Sequence, residues 1–313
     1  MMAFITYTMQ LVMSFLFFTF LMMQLPRAEV AAGRINEVLE TEVTVVDSEK
    51  IDDSKLQDVK CTLKFDNVSF TFDGADSPVL SNISFEAEAG KTTAIIGSTG
   101  SGKSTLLHLI PRYFDASEGE ISIDGVNIRD ISLNKLRDIL GFVPQKGVLF
   151  SGNIESNIKF ADENITDEQM RKAAEIAQAM EFINEKEDKF NSEISQGGSN
   201  VSGGQKQRLS IARALAKNPK ILLFDDSFSA LDYKTDVKLR KTLREEMAGV
   251  TTIIVAQRIA TILNADKIIV MNEGKIVGIG KHQELLETCP TYLEIAESQL
   301  SEEELAKGGK HNE

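Results

Sequence analysis

The run Ile221-Leu222-Leu223-Phe224-Asp225-Asp226 sets two carboxylates directly after four apolar residues. Such a run reads as a buried strand whose end supplies acidic groups to a metal–nucleotide site. Upstream, Gly97-Ser98-Thr99-Gly100-Ser101-Gly102-Lys103-Ser104 follows G-x-x-x-x-G-K-[ST] in full. Glycines at those places let backbone N–H groups turn inward around phosphate oxygens, and the start of the following helix adds the positive end of its dipole. Lys103 would reach the β- and γ-phosphates of ATP, and the hydroxyl of Ser104 would ligate Mg²⁺. Asp225 is the expected protein partner of that ion. A glycine-rich loop alone says little. Here it lies between the short apolar strand Ala94-Ile95-Ile96 and a helical run from Thr105 to Ile110, which is the context the chemistry requires.

These residues need a scaffold, and the chain alternates two periods. Residues 63–72, 83–87, 94–96, 221–224, 252–256 and 267–271 read as strands, and 275–278 closes a hairpin after Asn272-Glu273-Gly274. Residues 165–182 and 205–216 carry helical patterns. Strands alternating with helices predict an α/β core with a largely parallel sheet. Residues 44–60 are polar and acidic without a period, as in a linker, and 301–313 form a charged tail.

The N-terminus differs. Residues 1–25 contain no charged side chain and are dominated by Phe, Met, Leu and Ile. As a helix they would be about 37 Å long, enough for a hydrocarbon core of about 30 Å. A secretory signal would want basic residues before the apolar run and small residues after it; here the start is uncharged and Pro26-Arg27 follows. Arg27 and Arg34 flank only the C-terminal end, which places that end in the cytoplasm and the helix in membrane lipid. Thr6, Gln10 and Ser14 fall on one helix face, facing either a wet interface or their own backbone. Residues 28–42 alternate apolar and charged side chains as a helical extension.

At 313 residues the chain has room for one large domain or two smaller ones. A net charge of −13 without a clustered Lys/Arg surface argues against a nucleic-acid partner. The two cysteines, Cys61 and Cys289, lack metal-ligand spacing and read as reduced thiols.

Val201-Ser202-Gly203-Gly204-Gln205, followed by Lys206-Gln207-Arg208, narrows the reading. Alone, Ser-Gly-Gly before a helix is a cap. Together with the phosphate loop and the paired aspartates, the segment resembles the signature of ATP-binding cassette (ABC) proteins over about residues 61–300. That resemblance implies a P-loop NTPase cassette with a mostly parallel sheet core, an antiparallel β subdomain and a helical subdomain. It implies that Ser202, Gly203, Gly204 and Gln205 contact the γ-phosphate of ATP held by another subunit. It further implies that Phe72 stacks on adenine where a Tyr is more usual, that Gln145 touches Mg²⁺ and senses the membrane domain, and that Ser229-Ala230-Leu231-Asp232 crosses to the opposite subunit. The resemblance also counts Thr105, at the start of the helical run, among the ATP-binding residues. Within the family, the likeness is to exporters of the cell membrane whose helices and cytoplasmic cassette share one chain. Residues 1–27 then look like the last of six membrane helices, and 28–60 like the connection to the cassette.

Two positions depart from that pattern. The family places a Glu after the magnesium Asp to polarise the attacking water, and a His on the γ-phosphate; here they are Asp226 and Gln257. Asp is one methylene shorter, and a misplaced base forfeits much of the roughly 10²–10⁴-fold that general-base catalysis supplies. Gln keeps an N–H donor but carries no charge. The pair resembles the degenerate subunit of a heterodimeric exporter, which binds ATP at a slow site and completes the fast site of a second exporter subunit. The alternatives are a homodimeric exporter in which Asp226 is an adequate base, and a non-hydrolysing ATP-gated regulatory module. The transport substrate, drug-like or lipid-like, is not legible.

Overall fold

The computed structural model describes residues 1–48, 51–56 and 60–300. The charged tail expected over 301–313, and parts of the linker expected over 44–60, lie outside the described residues. The chain divides into two units, one ending at Val46 and one beginning at Asp47.

In the first unit, α1 (Met2–Leu39) is a single helix of 38 residues that runs through Pro26 and has no buried residue. Its apolar window has a mean hydropathy of 1.7, so its length and composition suit a membrane span. The expected span and its helical extension are therefore one element. The hydroxyls of Thr6 and Ser14 donate to the carbonyls of Met2 (3.1 Å) and Gln10 (2.8 Å), four residues back. The two hydroxyls on the polar face are thus satisfied within the helix, and only Gln10 offers that face an amide.

The second unit opens on β1 (Leu63–Phe70), β2 (Leu80–Ala87), β3 (Thr92–Gly97) and α2 (Lys103–Leu109). There follow β4 (Glu118–Ile123), β5 (Val126–Asn127), α3 (Leu133–Ile139) and β6 (Leu140–Val143). A helical excursion comprises β7 (Gly152–Asn153), α4 (Ile154–Ile158), α5 (Asp167–Ile176), α6 (Met180–Glu185), β8 (Glu193–Ile194) and α7 (Gly203–Ala216). The chain returns through β9 (Ile221–Asp225), α8 (Tyr233–Glu246), β10 (Thr251–Val255), α9 (Ile259–Ile262), β11 (Lys267–Asn272) and β12 (Lys275–Gly280), and ends on α10 (His282–Thr288) and α11 (Pro290–Glu297).

Six strands form the central sheet in the order β12-β11-β3-β10-β9-β6, parallel except for the hairpin partner β12. A second sheet, β2-β1-β4-β5, is antiparallel. Side chains alternate across the central sheet. Ala94, Ile96, Leu222, Phe224 and Ile254 join a core with the helical excursion. Ile95, Leu223, Ile253 and Val255 join a core with Phe65, Phe85, Leu106 and Leu107. Burial of both faces explains the near-continuous apolar runs of the parallel strands.

Two expectations change. The helical pattern over 165–182 is two helices, α5 and α6. Gln178 takes φ +55°, and the amide of Ala179 bonds the carbonyl of Ala174 at 2.8 Å, a helix-terminating turn usually made with glycine. The linker is also less loose than its composition implies. Asp53 accepts hydrogen bonds from the amide (2.9 Å) and hydroxyl (2.8 Å) of Ser132, and Leu56 is buried in the core beside the antiparallel sheet.

Candidate functional site

The phosphate loop is a consequence of where β3 ends. Gly97 is flanked by β11 so closely that a Cβ there would lie 2.1 Å from the Met271 carbonyl oxygen, so no other residue fits. The loop turns at Gly100 and Gly102, which take φ +82° and +92°. At Gly100 a Cβ would meet nothing within 4 Å, and Ser98, Thr99 and Gly100 are exposed, leaving an open rim at the start of α2. Lys103, by contrast, is buried. Its Nζ donates to the carbonyls of Gly97 (2.9 Å) and Ser98 (2.7 Å) and to the Ser101 hydroxyl (3.4 Å). Burial pulls the Lys103 ammonium below its ordinary pKa, and the charges of Asp226 and Asp225 oppose that shift. An exposed cradle backed by a partly desolvated cation fits a phosphate group.

The acidic centre lies at the end of β9. Ser104 donates its hydroxyl to Asp225 Oδ1 at 2.7 Å, which brings the two expected magnesium ligands onto each other. His108 Nε2 stands 3.6 Å from the other oxygen, Oδ2. Sequence reasoning did not single out His108. The signal was its place one helical turn after Ser104, on the same face of α2.

Asp226 leaves the strand with φ +45°, and its amide bonds the Val255 carbonyl at 2.9 Å. Its Oδ2 accepts from Gln257 Nε2 at 2.9 Å and from Gln145 Nε2 at 3.3 Å. Burial pushes the Asp226 carboxyl above its ordinary pKa, against the hydrogen bonds from Gln145 and Ser229 that hold it down. Lys103, Ser104, Gln145, Asp225, Asp226 and Gln257 thus converge from four different loops and strand ends.

The other expected residues stand apart. Phe72 is 39% exposed and packs edge-on against Phe70 (4.7 Å) and Phe114 (5.3 Å). Ser202 caps α7 reciprocally: its hydroxyl accepts from the Gln205 amide (3.3 Å) while Gln205 Oε1 accepts from the Ser202 amide (3.0 Å). Asp232 caps α8 by accepting from the Thr235 amide at 3.0 Å, and the Thr235 side chain and amide hold its carboxyl below the usual range with help from Arg208. Among the described residues, no hydrogen bond joins residues 202–205 or Asp232 to the phosphate loop. A link that sequence reasoning missed ties the two groups together. Gln207 of α7, 1% exposed, donates to the Pro144 carbonyl (3.0 Å) and accepts from the Gly147 amide (2.9 Å), so it brackets Gln145 from both sides.

Residues 80–229 match the profile of the family described as "ABC transporter". The chain carries an ABC transporter cassette. The matched span contains the phosphate loop, Gln145, the Ser202–Gln205 segment and both aspartates, and stops short of Asp232 and Gln257. An uncharacterized ABC transporter ATP-binding protein of Mycobacterium bovis is 43% identical over 302 residues, covering 95% of this chain and 51% of that protein. An ATP-dependent lipid A-core flippase of Aliivibrio fischeri is 41% identical over 263 residues, covering 83% of this chain and 45% of the flippase. The solved structure of a bacterial Atm1-family ABC exporter with ATP bound aligns with TM-score 0.81 and 35% identity, over 88% of this chain and 48% of the exporter chain. The chain that bears the cassette therefore spans about half the length of these relatives.

Proposed function

We propose that the chain is the ATP-binding subunit of an ABC exporter, in which two cassettes on the cytoplasmic side of a cell membrane close on ATP and drive substrate outward through membrane helices that include α1. In this reading the phosphate loop from Gly97 to Thr105 holds the ATP phosphates. Ser104, Asp225 and Gln145 hold Mg²⁺, and Phe72 meets the adenine. Bound MgATP would supply the γ-phosphoryl group and its electrophilic phosphorus. Ser202, Gly203 and Asp232 are exposed and Gly204 and Gln205 half-buried, and among the described residues none has a hydrogen bond to the loop of its own chain, so they are disposed to serve a second cassette. The names of the relatives, a lipid A-core flippase and a multidrug resistance protein of Entamoeba histolytica, support a lipid-like or drug-like cargo.

The chain's own site is the slow one of the pair, and its partner is a different exporter subunit. What supports this is the Gln257–Asp226 hydrogen bond of 2.9 Å. The residue placed to act as base and the residue placed to meet the γ-phosphate satisfy each other, and neither is Glu or His. One observation favours a second reading, a homodimeric exporter: burial raises the proton affinity of Asp226, which improves it as a base.

The test is MgATP binding and turnover by the whole chain in lipid nanodiscs, beside Asp226→Glu, Gln257→His. The expected outcome is that both bind MgATP and only the double variant turns over, faster by roughly 10²-fold or more. Equal turnover would favour the homodimer. Binding without turnover in either, even with candidate partner subunits, would favour a regulatory module.

A further inference from the structure

Resting on the reading of Gln257 just given, we infer that Gln299, beyond the end of α11, is a positioning residue that holds Gln257 against Asp226. The Gln299 side chain makes two hydrogen bonds, both to backbone and both at the loop that carries Gln257. Its Nε2 donates to the Gln257 carbonyl at 2.8 Å, and its Oε1 accepts from the Ile259 amide at 2.8 Å. One planar amide therefore spans the loop, fixing the peptide that follows Gln257 and the first residue of α9. Two good bonds from one rigid group set an orientation that a single bond would leave free to swing.

The support for this brace comes from the core. Tyr292 and Ala296 of α11 are fully buried, and the Gln299 amide bonds the Ala296 carbonyl at 3.1 Å. The chain of contacts runs from the buried side of α11 through the Gln299 amide to the Gln257 backbone, and from the Gln257 side chain to Asp226 Oδ2. Gln207 treats the Gln145 loop in the same way from α7. Both amides that donate to Asp226 are thus held by a second glutamine whose partners are backbone atoms. Gln207 is buried, so its loss would disturb folding. Gln299 is exposed and can be changed without emptying the core.

Two measurements on the full chain in nanodiscs test this. The first, hydrogen exchange, does not depend on hydrolysis. Gln299→Ala should speed exchange of the Ile259 amide and also of residues 226–229, while the phosphate loop is unchanged. Gln257→Ala should speed exchange at 226–229 alone. If Gln299→Ala affects only Ile259 and its own neighbours, the brace does not reach the site and the inference fails. The second is a double-variant cycle in the Asp226→Glu background. With His at 257, Gln299→Ala should lower kcat roughly 10-fold at unchanged KM for MgATP. With Ala at 257 the same change should matter less than about 2-fold, because there is no side chain left to position. Equal losses in both backgrounds would mean a merely structural role and overturn the inference. Gln299→Glu, which keeps the bond to Ile259 and loses the one to Gln257, should fall between. Failure to bind MgATP at all would sink the exporter reading, while the exchange data would still decide the brace.

Discussion

Asp226 combines a left-handed backbone, a buried carboxyl and two neutral amide donors. Its folded-state proton affinity is raised, so the folded chain holds the proton more tightly than the unfolded one. Stability from this group is therefore greatest in acid and falls as pH rises from the ordinary carboxylate value of about 3.9 towards the raised folded value. Asp226→Asn removes the charge, keeps an acceptor for Gln257 and suits φ +45°. It should raise Tm at pH 7, with the gain vanishing near pH 3 in a thermal melt. The lysine, serine and aspartates were legible because their spacing is dictated by the phosphate they would surround. His108, Gln207 and Gln299 were not. A lone His or Gln has no spacing to betray it when its partner is a remote carboxylate or a backbone atom far along the chain.

At the scale of elements, Ser202 has two separable jobs. As the N-cap of α7 it accepts one hydrogen bond, and Ser202→Ala should cost about 1 kcal/mol in urea unfolding. Ser202→Asp keeps the cap but sets a negative charge where the proposal puts a phosphate. It should leave stability nearly unchanged while abolishing MgATP-dependent pairing of cassettes, read as a change of mass in solution. Element types followed from periodicity: the strand at 221–224 and the helix at 205–216 were found within a residue or two. The break between α5 and α6 escaped notice because Gln178, without being glycine, adopts the left-handed turn that ends a helix. The linker escaped because Asp53 and Leu56 dock singly, with no repeat to reveal them.

For the molecule as a whole, nucleotide binding should register as stability. A ligand at 100 times its Kd adds about 2.7 kcal/mol to a folded state that alone binds it. MgATP should therefore raise Tm of the full chain, and Lys103→Ala should erase that rise, while also lowering the nucleotide-free Tm because the Gly97 and Ser98 carbonyls lose a buried donor. The α/β architecture was readable from alternating periods, whereas the order β12-β11-β3-β10-β9-β6 was not, because which strand lies beside which is decided by crossovers that leave no local mark. The alternation of side chains across that sheet also bears on how the unit beginning at Asp47 comes apart. Leu222 and Leu223 are adjacent in sequence yet serve opposite layers. Heat cannot loosen the helical layer without stripping the backs of the strands that hold the other, so both layers should be lost in one cooperative event, and a calorimeter should record a single peak for this unit.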